Sequence, residues 1–160
     1  MRVSLESPDQ PDVVALIAEL DAYQDSLYPP EARYALDLES LLQPNVVFAG
    51  ARAADRAAIG CGGFVLGERY GEVKRLYVRP AARGTGVAST IIRTLESAVH
   101  ARGCQLLMLE TGPSQPEALA FYGKHGYTRC EAFGAYPEHP LSVFMSKRLV
   151  AAPAAARAGA

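Results

Sequence analysis

Apolar residues in the first half of the chain follow first a helical and then a strand-like spacing. They recur at i, i+4, i+7 and i+11 from Leu16 to Leu27, which predicts an amphipathic helix after a short strand at residues 2–5. A second short helix is predicted over Leu36–Leu42, because Pro44 disfavours its continuation. Three runs rich in apolar and β-branched residues then predict strands, with turn residues between them. These runs are Val46–Arg52, Ala57–Leu66 and Glu72–Val78.

The second half begins with a clear amphipathic helix and then alternates between strands and helices. Val87, Ile91, Leu95 and Val99 share one helical face, and Gly103 is typical of the residue just after a helix end. The remaining predictions are a strand at Cys104–Leu109, a helix at Pro116–His125, and strands at Tyr127–Phe133 and Leu141–Lys147. The element order is therefore β-α-α-β-β-β-α-β-α-β-β. The strands joined by the long helix are expected to lie parallel at the centre of an otherwise antiparallel sheet of about seven strands, flanked by about four helices.

Composition and charge narrow the classes of protein that fit this pattern. The 160 residues suit one α/β domain, which we expect to span residues 1–149, with the Ala-rich residues 150–160 as a flexible tail. A net charge of −1 with scattered arginines argues against a nucleic-acid partner, and no apolar run is long enough to predict a membrane partner. The three cysteines lack metal-ligand spacing, and the N-terminus lacks a signal-peptide pattern. We therefore expect a reduced cytoplasmic protein without a metal.

A glycine-rich loop lies between a predicted strand and the long amphipathic helix. Its residues Arg83-Gly84-Thr85-Gly86 let backbone amides approach a ligand, and the helix N-terminus favours a phosphate or pyrophosphate group. A Walker A loop is excluded because Gly-Lys-Ser/Thr is absent, and Ser89 replaces the third glycine of a dinucleotide-binding fingerprint. Taken alone, the loop is equally compatible with a glycine-rich turn that binds nothing.

Two motifs at a characteristic separation resemble the GNAT superfamily of N-acetyltransferases. The loop Arg83-x-x-Gly86-x-Ala88 is similar to the family's Arg/Gln-x-x-Gly-x-Gly/Ala coenzyme A loop, after a strand exit at Leu76–Pro80. The segment Phe121–Tyr127 is similar to the family signature Phe-Tyr-x-x-x-Gly-Phe/Tyr. The resemblance spans residues 71–149 and is closest to a bacterial subgroup with mostly unassigned acceptors. It implies the single-domain GNAT fold and acetyl transfer from acetyl-coenzyme A to a primary amine, with no metal.

The resemblance also implies where acetyl-coenzyme A binds. Pantetheine would pair with the strand at Leu76, Tyr77 and Val78, and a bulge there would free an N–H for the thioester carbonyl. Gln115 stands where many relatives carry Asn. The remaining implied contacts, all in the loop and the first helical turn, are Arg83, Gly84, Thr85, Gly86, Val87 and Ala88.

Two carboxylates are candidates for the catalytic base. A primary amine has a pKa near ~10.4 and must lose a proton before it attacks. Glu72 is the first candidate because it lies on the strand that leads to the loop, with Glu110, at the end of the next strand, in reserve. The alternative is that Glu72 only pairs with Lys74 or Arg75 at a solvated strand end.

Tyr122 matches the family tyrosine that protonates the departing thiolate. A phenol with a pKa of about 10 can donate to a thiolate whose conjugate acid has a pKa of about 8.5. The competing interpretation is core packing, since Ala118, Phe121, Tyr122 and His125 fall at helical spacing.

By family analogy, segments 23–34 and 133–141 wall the acceptor site. Tyr28 and Tyr136 would contribute to it, with Arg33 for a carboxylate and Glu31 for an ammonium group. The expected acceptor is a small amine. A protein N-terminus or lysine as acceptor, and a non-catalytic acyl-coenzyme A binding module, both stay open. The resemblance also allows a homodimer through the last two strands.

Overall fold

The chain folds around one mixed β-sheet. The structure is a computed structural model that describes residues 1–149, so the predicted tail at 150–160 lies outside the described residues. The strands are β1 (Arg2–Leu5), β2 (Val46–Arg52), β3 (Ala58–Leu66), β4 (Gly71–Val78), β5 (Leu106–Thr111), β6 (Thr128–Cys130) and β7 (Val143–Arg148). Their order across the sheet is β1-β2-β3-β4-β5-β7-β6, and all neighbours are antiparallel except β4 and β5.

Four α-helices accompany the sheet within residues 1–149. They are α1 (Pro11–Leu27), α2 (Leu38–Leu41), α3 (Val87–Ala101) and α4 (Pro116–Lys124), with single 3-10 turns at Pro30–Ala32 and Pro80–Ala82. The predicted fold class, element order and central parallel pair are confirmed. The chain therefore has the α/β architecture that the hydrophobic spacing indicated.

Several predicted boundaries were wrong by a few residues, for local reasons. Helix α2 begins at Leu38 because the Asp37 carboxylate caps it, accepting from the Ser40 amide over 2.9 Å. Strand β5 begins at Leu106 because the chain is still closing α3 at Cys104, whose amide donates to Val99. Strand β6 stops at Cys130, so that Phe133 is free to pack against Tyr136 and Phe144.

The side chains of the sheet alternate between two apolar clusters. On β2, Val47, Ala49 and Ala51 belong to the cluster that contains α3, whereas Phe48 belongs to the cluster that contains α1. The α3 side is completed by Val87, Ile91, Ile92, Leu95 and Val99, all buried. Burying one such side chain stabilises the folded state by roughly 1.5–3 kcal/mol. The buried apolar face of α3 therefore holds this helix on the sheet.

Strands β4 and β5 pair over only a short distance and then separate. Their parallel register joins Gly71 to Leu107 and Glu72 to Met108 and ends there, although β4 continues to Val78 and β5 to Thr111. Strand β5 instead stays paired with β7 along its whole length. The result is a fork between β4 and β5, which leaves the C-terminal part of β4 without a neighbouring strand on its β5 side, although β3 still pairs with it on the other side.

Among the described residues, no helix combines the length and apolar character needed to cross a membrane. Within the same part of the chain, no three His, Cys, Asp or Glu side chains are grouped to hold a metal ion.

Candidate active site at the fork

A cleft of about 450 Å³, here called the loop cleft, lies where β4 leaves the sheet and α3 begins. Among the predicted coenzyme-binding residues, only Thr85 is absent from its walls; its hydroxyl donates to the Ala82 carbonyl over 2.6 Å and closes the turn. The predicted residues that do line the cleft are Leu76, Tyr77, Val78, Arg83, Gly84, Gly86, Val87, Ala88, Gln115 and Tyr122.

The loop presents free amides and open space, as an anion requires. Gly84 and Gly86 have φ values of +79° and +85°, and a Cβ at either position would meet nothing within 4 Å. Within the described chain, no backbone hydrogen bond is donated by the amides of residues 84–89. These amides and the N-terminus of α3 fit a pyrophosphate-bearing ligand such as a coenzyme.

Two basic side chains belong to the loop cleft. Arg83 donates from Nε to the Val78 carbonyl over 3.0 Å, which ties the loop back to the end of β4. Lys124, in the last turn of α4, also lines the cleft, and the sequence analysis missed it. Its position three residues after Phe121, another residue of the cleft wall, was the available signal.

A bulge in β4 interrupts the ladder beside the fork. Lys74 pairs with Gly63 and Tyr77 pairs with Cys61, so β4 contains one residue more than β3 over this stretch. Arg75 has φ +59°, and its buried side chain holds the bend by donating to the Leu36 carbonyl over 2.9 Å and to Asp21. The bulge predicted near the coenzyme strand is therefore present, with Arg75 as its unpredicted anchor.

A second, smaller cavity of about 120 Å³, here called the fork cavity, lies between the separated strands. Three of the candidate site residues, Tyr28, Arg33 and Glu110, line it. Gln115 and Tyr122 line both this cavity and the loop cleft, so the two spaces meet at these side chains. Lys74 and Arg75 also line the fork cavity. A group held in the loop cleft and a molecule in the fork cavity would therefore face each other at Tyr122.

Glu110 projects from the end of β5 into the fork cavity. Burial is the main cause that raises the pKa of its carboxyl group from 4.5 to about 7. The neighbouring Glu72 carboxylate raises it further, whereas the Ser142 hydroxyl and the Lys74 ammonium act in the opposite direction. A carboxylate with a pKa near neutrality can both accept and release a proton under ordinary conditions.

Glu72 lies outside both spaces. It lines neither the loop cleft nor the fork cavity, and its carboxylate forms an ion pair with Lys74 Nζ at 3.1 Å. Tyr136, predicted to bind the acceptor, also lines neither; its hydroxyl donates to Glu72 and accepts from Lys74. Of the two alternatives for Glu72, the contacts correspond to the ion pair with Lys74.

Tyr122 is buried at the junction of the two spaces. Burial raises the pKa of its phenol well above 10. It packs edge-on against Phe121 and Tyr127, so the predicted core packing is present, and the same side chain also lines the loop cleft.

Tyr28 closes the other side of the fork cavity. Its hydroxyl donates to Gln115 Oε1 over 3.3 Å, and a Cβ on Gly112 would come within 1.9 Å of the same hydroxyl. Only glycine therefore fits at position 112, which explains a glycine directly after β5 that the sequence analysis did not interpret.

Two acceptor residues are placed differently from the prediction. Arg33 was expected to be available for an acceptor carboxylate, but it already forms ion pairs with Asp21 and Asp25. Glu31 was expected to bind an ammonium group, but it is exposed on the 3-10 turn and lines neither space. Family analogy pointed to the segment 23–34, but the sequence could not show which of its side chains turn inward.

Comparisons with known proteins agree with this geometry. A family model described as the acetyltransferase (GNAT) family matches residues 13–127. An IAA acetyltransferase from Azospirillum brasilense is 41% identical over 149 residues, covering 92% of this chain and 97% of its own. A crystal structure described as that of an acyl-CoA N-acyltransferase from Klebsiella pneumoniae superposes with a TM-score of 0.79 at 36% identity, over 93% of this chain and 97% of its own.

The fold is shared with more distant proteins as well. The PaiA N-acetyltransferase from Thermoplasma acidophilum, solved in complex with coenzyme A, has a TM-score of 0.69 at 18% identity, covering 92% of this chain and 99% of its own. The family match, the 41% identical relative and the loop-and-fork geometry agree. The chain therefore belongs to the GNAT family and is an acetyl-coenzyme A-dependent N-acetyltransferase.

Proposed function

We propose that the enzyme acetylates the primary amine of a small molecule, with Glu110 as the base and Tyr122 as the acid. The observation that carries this proposal is the position of the Glu110 carboxyl group, whose pKa is about 7, in a cavity that meets the loop cleft at Tyr122. Glu110 replaces Glu72 as the first candidate, because Glu72 lines neither space.

In this proposal the free amides of residues 84–89 bind the pyrophosphate of acetyl-coenzyme A, assisted by Lys124. Pantetheine lies along Leu76–Val78, where the fork leaves the β5 side of β4 without a partner strand. The irregular backbone at Arg75 and Leu76 supplies the donor for the thioester oxygen. No side chain is needed for that step, which is why residue identity along β4 gave little information about it.

The reaction is a direct transfer within one complex. Glu110 takes a proton from the acceptor ammonium group, and the free amine nitrogen forms a bond to the acetyl carbon. The carbon–sulfur bond breaks, and Tyr122 donates its proton to the departing thiolate. The acetylated nitrogen, which is positively charged after the attack, releases its second proton, and this proton restores the Tyr122 phenol. The Glu110 proton passes to solvent, so both residues end as they began.

The shape and charge of the fork cavity support a small acceptor. A volume of about 120 Å³ suits a compact molecule better than the open groove that a folded protein's lysine or N-terminus requires. The cations beside the cavity are already paired with Asp21, Asp25 and Glu72, so nothing there demands an acidic acceptor. The 41% identical relative nevertheless makes IAA a compound to include among the acceptors tested.

The test is release of coenzyme A thiol from acetyl-coenzyme A across a panel of amino acids, polyamines, aromatic amines, short peptides and IAA. With an accepted amine, Glu110→Gln is expected to lower kcat about 10²–10⁴-fold while the Kd for acetyl-coenzyme A stays unchanged. Glu39→Gln, on the exposed surface of α2, is the matched control and should behave like the unaltered protein.

Two results would contradict the proposal. Full activity in Glu110→Gln would remove Glu110 as the base. Tight acetyl-coenzyme A binding without turnover on any small amine would favour a protein acceptor or a non-catalytic binding role instead.

A further inference from the structure

Three charged side chains of the site lie on the same face of the sheet. Val73, Leu107 and Leu109 belong to the apolar cluster on the α3 side, so the residues that alternate with them point the other way. Glu72 is paired with Met108, and Lys74 and Glu110 each come two residues later on their strands. Lys74 and Glu110 therefore lie opposite each other just beyond the last paired residues of β4 and β5.

The ammonium group of Lys74 is nevertheless engaged with other partners. Its Nζ donates to the Tyr136 hydroxyl over 2.7 Å and to the Tyr34 carbonyl over 3.0 Å, and it forms an ion pair with Glu72 Oε2 at 3.1 Å. Among the described residues, no hydrogen bond or ion pair joins Lys74 to Glu110. The Tyr136 hydroxyl also donates to Glu72, which closes the network.

Burial is the main cause of the raised pKa of Glu110, and this network helps to preserve it. A cation in direct contact with a carboxylate lowers its pKa by about 1–3 units and makes it a weaker base. Lys74 contacts Glu72 and Tyr136 instead of Glu110, and the Glu72 charge nearby acts to raise the pKa of the Glu110 carboxyl group. The carboxyl group of Glu110 therefore keeps its pKa near 7, although a lysine that could pair with it lies close by.

We propose that Glu72 and Tyr136 hold Lys74 away from Glu110, so that Glu72 is a positioning residue for the base and not the base itself. The proposal rests on Glu110 being the base of the acetyl transfer. It assigns a role to the Glu72–Lys74–Tyr136 network, all of whose members lie on the face of the sheet that carries Glu110.

The other groups that face Glu110 do not replace this network. Ser142, before β7, lowers the pKa of Glu110 through its hydroxyl, and the Tyr28 phenol beyond α1 is uncharged at neutral pH. The two arginines that line the fork cavity, Arg33 and Arg75, are both paired with Asp21. Lys74 is therefore the cation whose release would change the base most.

The test compares the pH dependence of kcat/KM for three variants, using an acceptor identified by thiol release. Glu72→Gln removes the ion-pair partner of Lys74, and Tyr136→Phe removes one of its hydrogen-bond acceptors, so the acid limb should move to lower pH by about one unit, with lower activity at neutral pH. Lys74→Met removes the cation, so the acid limb of the profile should move to higher pH. Tyr136→Phe keeps the ring that packs against Tyr34, Phe133 and Phe144.

A second readout does not depend on turnover. Carbon-13 NMR titration of the Glu110 carboxyl in the ligand-free protein should show the same opposite shifts, and acetyl-coenzyme A affinity reports on folding of each variant. Glu72→Gln that is inactive at every pH, or a Glu110 titration unmoved in all three variants, would overturn the proposal. Full activity in Glu110→Gln would instead remove the base assignment, so the two failures are distinguishable.

Discussion

At the scale of single residues, burial gives Glu110 and Tyr122 their chemical character. Desolvation is the largest cause of the raised pKa in both side chains, and both line the fork cavity. Glu72, with similar chemistry, is instead held in an ion pair with Lys74. The same residue type thus has different properties on adjacent strands, depending on its neighbours.

The buried Glu110 should make stability depend on pH in a defined direction. Its pKa is raised from 4.5 to about 7, so between these pH values the folded state holds a proton that the unfolded state has lost. The free energy of unfolding should therefore fall as pH rises through this window, by on the order of 2–3 kcal/mol from this group. Glu110→Gln removes the effect.

The measurement is denaturant unfolding of the unaltered protein and Glu110→Gln at pH 4 and pH 8. Glu110→Gln should gain stability relative to the unaltered protein on going from pH 4 to pH 8. An equal difference between the two proteins at both pH values would show that Glu110 is not desolvated in the folded state.

At the scale of elements, the start of α3 combines a packing role with the proposed binding role. The face with Val87, Ile91 and Leu95 is buried, while the preceding loop leaves its amides free at the other side. Gly86 joins these two parts, because its φ of +85° turns the chain from the loop into the helix. The other end of α3 is closed by Gly103, with a similar φ of +89° but outside the loop cleft.

These two glycines form a matched pair for testing the loop. Gly86→Ala and Gly103→Ala each force a side chain into the left-handed region, so both should lose about 1–2 kcal/mol of stability. Only Gly86→Ala also places a methyl group in the loop cleft, and only this variant should weaken acetyl-coenzyme A binding, by about tenfold. Thermal unfolding and calorimetric titration measure the two effects. Equal affinities in both variants would argue against pyrophosphate binding at this loop.

At the scale of the whole molecule, one sheet carries both apolar clusters. Leu16 of α1 and Leu95 of α3 are fully buried on opposite faces, and strands such as β2 contribute side chains to both. Loss of packing on one face must therefore disturb the strands that support the other. The two faces are expected to unfold together.

Cavity-forming variants test this coupling. Leu16→Ala and Leu95→Ala should each lower the free energy of unfolding by about 2–5 kcal/mol. Each should still give a single transition that coincides by far-ultraviolet circular dichroism and by tyrosine fluorescence. Two separate transitions in either variant would show that the faces are independent units.

Features that depend on short-range patterns follow from the amino-acid sequence alone. Helical and alternating spacing predicted the order of all eleven helices and strands described here, and the central parallel pair followed from the helix that links β4 to β5. The residues from Arg83 to Ala88 identified the loop proposed to bind the pyrophosphate, because free amides and positive φ angles are properties of adjacent residues.

The side chains that line the fork cavity, the proposed acceptor site, can be identified only from the folded chain. The choice between Glu72 and Glu110 depends on where β4 and β5 separate and on which face each residue takes. The engagement of Arg33 by Asp21 and Asp25, and of Lys74 by Tyr34 and Tyr136, joins elements distant in the chain. Charge, burial and pKa depend on all neighbours in space, whereas the sequence pattern records only neighbours along the chain.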